Sequence, residues 1–307
     1  MVRPTLLWSV GKKRVKRGTK RPLKETALTL TDRLEGEETV VDVLFWSGGK
    51  DSYLSLLLLE QQHLASKSKN NDFITEEETK NTNNDFSFLD EETKSETKTK
   101  RQGKSDRLIV LLTTFEGSSP TGEIVHQGLQ CRDIMDQAKA LGLDLLLVPL
   151  PDKNGQGVSN VSYKETVLAA LEVLKMELVV STLRDIAVSD VKLRLVFGDL
   201  HLKDIRDWRE STFGGEGEGG MQCFFPAFGV DYAELMSILW AATGTEVRDI
   251  TISAWTGLFN DESTATLVSK GAVFDQKFVS SLPPSIDQMG EKGEFHTHVR
   301  FLPRSKK

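Results

Sequence analysis

Cysteine is scarce in this chain: its 307 residues carry only Cys131 and Cys223. The two stand far apart, form no CxxC pair and have no neighbouring His at metal-ligand spacing. That excludes a disulfide framework and a zinc finger or ribbon. Two reduced thiols in a reducing compartment, with a cytoplasmic location, are the expectation. Long apolar runs are missing as well. Leu54 to Leu59 is the longest candidate, far short of the roughly eighteen residues of a membrane span, and reads as part of a helix. No membrane partner is therefore expected. Positive charge is not in excess either. The formal net charge is −6, which argues against a general nucleic-acid binder. The chain contains no Walker A loop, GxxxxGK followed by Ser or Thr, and no glutaminase motif.

What is present begins with 38% hydrophobic residues, enough for one large domain or two modest ones. Three stretches depart from that background. Residues 1–38 are basic first, from Arg3 through Lys24, and acidic only from Glu25 onward. The pattern has some likeness to an organelle transit peptide, so targeting stays open, but it is poor in Ser and lacks an amphipathic face. A solvated, disordered tail is the expectation. Residues 66–106 are rich in Lys, Glu, Thr and Asn, with Asn70-Asn71-Asp72-Phe73 repeated as Asn83-Asn84-Asp85-Phe86. So little apolar surface cannot offset the entropy of ordering, and the tract reads as a disordered insertion in a surface loop. Phe213 to Gly220, FGGEGEGG, reads as a loose connection.

Between these stretches strands and helices alternate. Val40 to Trp46, Arg107 to Phe115, Asp144 to Leu150 and Leu193 to Phe197 read as strands. Tyr53 to His63, Gln127 to Leu141 (ended by Gly142) and about Leu202 to Glu210 read as helices. Ser162 and Glu165 suggest a capping box for a helix through Lys175, with Val167, Leu168, Leu171 and Leu174 on one face. Such alternation predicts an α/β fold with a mostly parallel, helix-covered, Rossmann-like sheet. From Met221 the rhythm changes. A helix from about Tyr232 to Thr243 and a strand from Val247 to Ser253 precede an irregular tail, Phe274 to Phe301. The expected organisation is a tail at 1–38, a nucleotide-binding domain at 39–220 and a smaller α+β unit at 221–307.

The sharpest signal is WSGGKDS, placed directly between an apolar strand and a helix. Gly48 and Gly49 allow successive backbone N–H groups to converge on an anion. The helix that follows points its positive end at the same place. Ser47 and Ser52 add hydroxyls and Lys50 a positive charge. Asp51, unexpected beside a phosphate, suits Mg²⁺ binding or a helix cap. The loop resembles the SGGxDS signature of the PP-loop ATP pyrophosphatases, which cleave ATP between the α and β phosphates.

Further motifs follow in order. Val196-Phe197-Gly198-Asp199-Leu200-His201-Leu202 stands mid-chain, then Pro226-Ala227-Phe228-Gly229, and finally Met289-Gly290-Glu291-Lys292-Gly293-Glu294-Phe295-His296-Thr297. With SGGKDS, they resemble the diphthine–ammonia ligase family, whose members carry an FGDI-like strand end, PLWG and a closing GExGE followed by Phe or Tyr. The resemblance spans roughly residues 40–301 apart from the insertion. It implies a Rossmann-like nucleotide α-hydrolase domain followed by a smaller one. It also implies ATP and Mg²⁺ as cofactors, and amidation by ammonium of the diphthine carboxylate on translation elongation factor two through an acyl-adenylate. Ser47, Gly48, Gly49, Lys50, Asp51 and Ser52 would hold the phosphates, with Asp51 on the metal. Asp199, at a parallel strand's carboxyl end, would take a ribose hydroxyl, ammonia or a metal, or cap the next helix. Lys50, Asp51, Glu294 and His296 would carry the chemistry, with Glu291, Thr297 and His126 on the substrate side. Trp208, Trp240 and Trp255 read as packing residues. The chain departs from the family in ending EFHT, in Phe228 where a Trp is usual, and in His298-Val299-Arg300-Phe301 after the last motif. Two competing readings are an ATP pyrophosphatase that adenylates another small acceptor and a non-catalytic adenine-nucleotide sensor.

Overall fold

The computed structural model describes residues 5–8, 39–78, 108–119, 121–151, 158–181, 187–215, 221–255 and 267–303, with the backbone alone at 5–8, 66–78, 181 and 189. Period-two burial builds the central sheet. In the strands β2 (Thr39–Phe45), β3 (Leu108–Glu116) and β6 (Asp144–Leu150), successive side chains enter different cores. Leu44, Ile109, Leu111, Leu145 and Leu147 join one apolar cluster, while Val41, Val43, Val110, Leu112, Leu146 and Val148 join the other. A strand buried on both faces reads as a nearly continuous apolar run, as expected of a parallel sheet between two helix layers.

Five strands are parallel, in the order β6, β3, β2, β7 (Val191–Val196) and β8 (Gln222–Phe224). The fold is thus α/β with a Rossmann-like sheet. Two short strands, β4 (Glu123–Ile124) and β5 (Leu129–Gln130), form a hairpin between β3 and the helix α2 (Cys131–Leu141). The helices α1 (Lys50–Glu78) and α2 supply the first cluster, and α3 (Asn160–Ser181) with Phe213 of α4 (Lys203–Phe213) the second. After β8, α5 (Tyr232–Ala242), β9 (Val247–Trp255), the short α6 (Gln276–Ser281) and β10 (Phe295–Phe301) follow. Segment 221–307 therefore gives β8 to the main sheet. Its Leu235, Ile252, Phe274 and Val299 lie in the same cluster as Leu44 and Leu54.

Several local expectations are corrected. Thr5–Trp8, inside the tract read as a solvated tail, is a strand β1 that pairs antiparallel with β6. An open sheet edge offers unpaired backbone groups, and a short β-branched, apolar and aromatic segment satisfies them. Residues 9–38 lie outside the described residues. Helix α1 runs on to Glu78, so 66–78 is helical backbone rather than disordered. Once nucleated on the core, a helix propagates with one hydrogen bond per residue and needs no further apolar burial. Residues 79–106 and 216–220 also lie outside the described residues. Helix α2 begins at Cys131, because the hairpin occupies 123–130. Helix α3 is capped by Ser159, whose Oγ accepts from Ser162 N–H at 3.2 Å, so Ser162 is already inside the helix. The supposedly irregular tail holds β10, whose Phe295, Thr297 and Val299 are buried in alternation. Gly142 ends α2 as expected, at φ 73° with its N–H on Ala138 O.

One buried ionic contact crosses the sheet. Asp42 on β2 has no solvent exposure and accepts from Arg194 of the neighbouring β7 through Nε and Nη2, at 2.6 and 2.9 Å. His63 Nε2 of α1 approaches its second oxygen at 3.3 Å. The bidentate geometry supplies the hydrogen bonds a buried carboxylate requires.

Candidate functional site

The sheet's topology places a crevice at the carboxyl ends of its central strands. From β2 the chain moves outward to β3 and β6, then returns to β7 on the other side. The loops after β2 and β7 therefore diverge, and open α/β sheets bind their ligands at such switch points. A cavity of about 310 Å³ lies here. It is lined by Ser47, Asp51 and Ser52 after β2, by Gly198 and Asp199 after β7, and by Glu291 and His296 of the carboxyl-terminal motif. Segments distant in sequence are thus brought to one place.

The loop after β2 is held from behind. Buried Gln137 of α2 accepts from Trp46 Nε1 at 2.8 Å and donates through Nε2 to both Gly48 O and Val299 O, each at 2.8 Å. Val299 N–H donates to Gly48 O at 3.0 Å, and Lys50 N–H to Thr297 Oγ1 at 2.9 Å. The strand β10 and helix α2 therefore clamp the loop. Gly48 sits at φ 83°, and a Cβ there would come within 2.7 Å of Ile134 Cδ1, so both the turn and the packing demand glycine. Within the loop, Ser52 Oγ donates to Gly49 O at 3.0 Å and Gly49 N–H to Ser47 Oγ at 3.3 Å.

Lys50 does not line the cavity. Its side chain is 2% exposed, its ammonium donates to both Asp51 oxygens at 2.8 and 3.0 Å, and the rings of Phe274 and Phe295 lie 5.8 and 5.7 Å away. Asp51, 33% exposed, is the member of the pair that reaches the cavity. Glu294 is buried with its oxygens occupied. They accept from Asp287 N–H and Lys292 N–H, both at 2.9 Å, which shapes the loop that carries Glu291. Asp287 reinforces that loop through Met289 N–H and accepts from Tyr232 Oη of α5. Thr297 acts through Lys50 N–H, and exposed His126, at φ 62° in the hairpin, stands outside the cavity lining.

Glu291, Asp199 and His296, which reach the cavity, are perturbed. Burial, with Asp51 and Asp199 adding repulsion, pushes Glu291 up to about 7, although His201 N–H (3.2 Å) and Lys50 oppose the shift. Burial also raises Asp199 against the pull of Arg209, with Asp51 adding to the rise. Burial and then Lys50 lower His296, favouring its neutral imidazole, while Asp51 opposes. Gln127 Nε2 reaches His296 Nδ1 at 3.4 Å. Perturbed titratable groups converging on a cleft are the pattern of a functional site. Cys131 and Cys223 are free, and burial pushes each thiol up to about 11, which leaves them poor nucleophiles.

Among the described residues, no three His, Cys, Asp or Glu side chains gather as a metal-binding group. A Mg²⁺ site takes one or two carboxylates, with phosphate oxygens and water completing the shell, and Asp51 offers a carboxylate at the cavity. Trp208 packs on Tyr163 and Phe213, and Trp240 on Phe274, and neither indole is itself part of the cavity lining. Arg209, Tyr163, Gln127 and Gln137 were not singled out from the sequence. Gln137 could have been, since it shares the buried face of α2 with Ile134 and Ala138. No helix among the described residues is long and apolar enough to cross a membrane.

These features define an α/β protein with a polar, carboxylate-bearing cavity at the switch point of its parallel sheet. A scan against protein-family models and a search of curated proteins each return no match.

Proposed function

We propose that this chain binds ATP with Mg²⁺ and cleaves it between the α and β phosphates to activate a carboxylate, in the manner of the PP-loop ATP pyrophosphatases. The acceptor in this reading is the diphthine carboxylate of translation elongation factor two, and ammonium is the nitrogen donor. The observation that carries the proposal is the meeting of the SGGKDS loop with Glu291 and His296 around one cavity. A strand–loop–helix turn built for an anion thus faces acid–base groups from the far end of the chain.

In this reading the loop amides, with Ser47 and Ser52, receive the pyrophosphate portion. Asp51 would hold Mg²⁺, which would supply charge neutralisation of the phosphates. The acceptor carboxylate oxygen attacks the α phosphate, pyrophosphate leaves, and ammonia then displaces AMP from the acyl-adenylate to form the amide. A carboxylate resists ammonia until it carries such a leaving group. Glu291, poised near neutrality, takes the proton released as ammonium becomes the nucleophile. Glu294, assigned to the chemistry by the sequence reading, serves instead as a positioning residue. Lys50 acts by fixing Asp51.

Asp51→Ala tests the assignment. AMP and pyrophosphate release should fall to background while the cooperative melt is retained. Turnover that survives the substitution would refute the role of the loop.

A further inference from the structure

The cavity has an unexpected charge balance. Its lining includes the acids Asp51, Asp199 and Glu291, yet Arg209 of α4 is its sole Lys or Arg among the described residues. Lys50, which the sequence offered as the phosphate-binding cation, lies beneath the loop with its ammonium on Asp51. Among the described residues, Arg209 is therefore the cationic side chain that an anion in the cavity would meet.

Arg209 is built for such a contact. Its guanidinium lies 4.7 Å from the Phe197 ring centroid, 5.4 Å from Trp208 and 5.9 Å from Phe45. Phe45 and Phe197 are themselves 4.4 Å apart. Stacking on aromatic faces holds the planar group while leaving its edge for hydrogen bonding. Its Nε donates to Asp199 Oδ2 at 3.3 Å and its guanidinium also hydrogen-bonds the Tyr163 side chain, which leaves further donors of the five for a ligand. The same side of the cavity is lined by Phe45 and Tyr163, with fully buried Phe197 packed against Phe45, an aromatic surface suited to a nucleoside rather than to phosphates. Gly198, next to Asp199, packs directly on the first turn of α1, where an added Cβ would lie 3.0 Å from Ser52 N. Arg209 thus stands where the aromatic wall meets the phosphate loop.

We propose that Arg209 is the receptor for the nucleotide's α phosphate, the phosphate shared by ATP and AMP, while the Ser47–Ser52 loop receives pyrophosphate. This inference rests on the nucleotide-binding reading above and adds the residue that distinguishes the AMP end from the pyrophosphate end. Arg209 also remains to hold AMP after pyrophosphate has left.

The test is calorimetric titration of the full chain and of its Arg209→Gln and Arg209→Lys variants with AMP, adenosine and inorganic pyrophosphate, in the presence of Mg²⁺. Loss of a charge-assisted contact should weaken AMP binding by about tenfold or more in Arg209→Gln, with partial recovery in Arg209→Lys. Adenosine and pyrophosphate affinities should stay within about twofold of wild type on the same reasoning. A parallel loss for adenosine would overturn the proposal, because the arginine would then merely support the aromatic wall. Loss of pyrophosphate binding alone, or unchanged AMP binding, would overturn it too. If Arg209→Gln does not melt cooperatively, Arg209→Lys is read by the same criteria. A wild-type chain that binds none of the three ligands would refute the nucleotide reading and this inference together.

Discussion

Replacing Gln137 with Met should loosen the phosphate loop without leaving a hole. Methionine nearly matches glutamine in volume but cannot replace its hydrogen bonds. Three bonds of 2.8 Å disappear, to Trp46 Nε1, Gly48 O and Val299 O. Gly48 O keeps the Val299 N–H, so the unpaired indole N–H of Trp46 bears the larger penalty. At about 1 kcal/mol for each bond, with added desolvation cost for the orphaned donor, the loss is about 3–4 kcal/mol. That is a large fraction of the roughly 5–15 kcal/mol that stabilises a typical domain. Urea unfolding of wild type and variant would measure it, with calorimetric pyrophosphate titration of the folded variant alongside. The affinity should fall, because Trp46 and Gly48 flank Ser47 and set where the loop amides point. A stability loss below about 0.5 kcal/mol, the range of an ordinary surface substitution, together with unchanged affinity would refute the clamp.

Two further outcomes are expected. The Glu291 carboxyl is raised by folding to about 7 from an ordinary value of 4.5, so its stabilising contribution is full below pH 4.5 and is lost as pH rises to 7. Glu291→Gln should therefore gain stability relative to wild type across that window in melts from pH 4 to 8, and a constant difference would contradict the shift. Asp42→Ala should cost about 3–5 kcal/mol by leaving the largely, though not fully, buried Arg194 without its counter-charge. Removing Asp207 from its exposed pair with Lys203 should cost at most about 1 kcal/mol, and equal effects in denaturant unfolding would deny the buried pair its special role.

The sequence reading succeeded where local pattern carries the physics. An apolar run, two glycines and a helix start located the loop between β2 and α1. Gly142 marked the end of α2, and strand–helix alternation gave the parallel sheet. Local pattern failed where a distant partner decides the outcome. Thr5–Trp8 is a strand because β6 has an open edge, which nothing in the tract itself announces. The alternation of Phe295, Thr297 and Val299 was visible, but those residues were read as a motif rather than as the strand it forms with β9. The hairpin strands β4 and β5 have two residues each, too short for a period to show. Lys50 was assigned to phosphate by its loop, whereas Phe274 and Phe295, more than two hundred residues away, enclose its ammonium. Arg209 looked like any helix-surface arginine until β7 and α4 brought it beside Asp199.

The most direct test of the proposed activity is release of AMP and pyrophosphate from ATP and ammonium, with and without diphthine-bearing elongation factor two. Release of both products in equal amounts, dependent on that factor and absent in Asp51→Ala, is the expected result. Release of both products without regard to the factor would keep the α–β cleavage and contradict the acceptor. ADP and phosphate instead, or no product under either condition, would contradict the central claim.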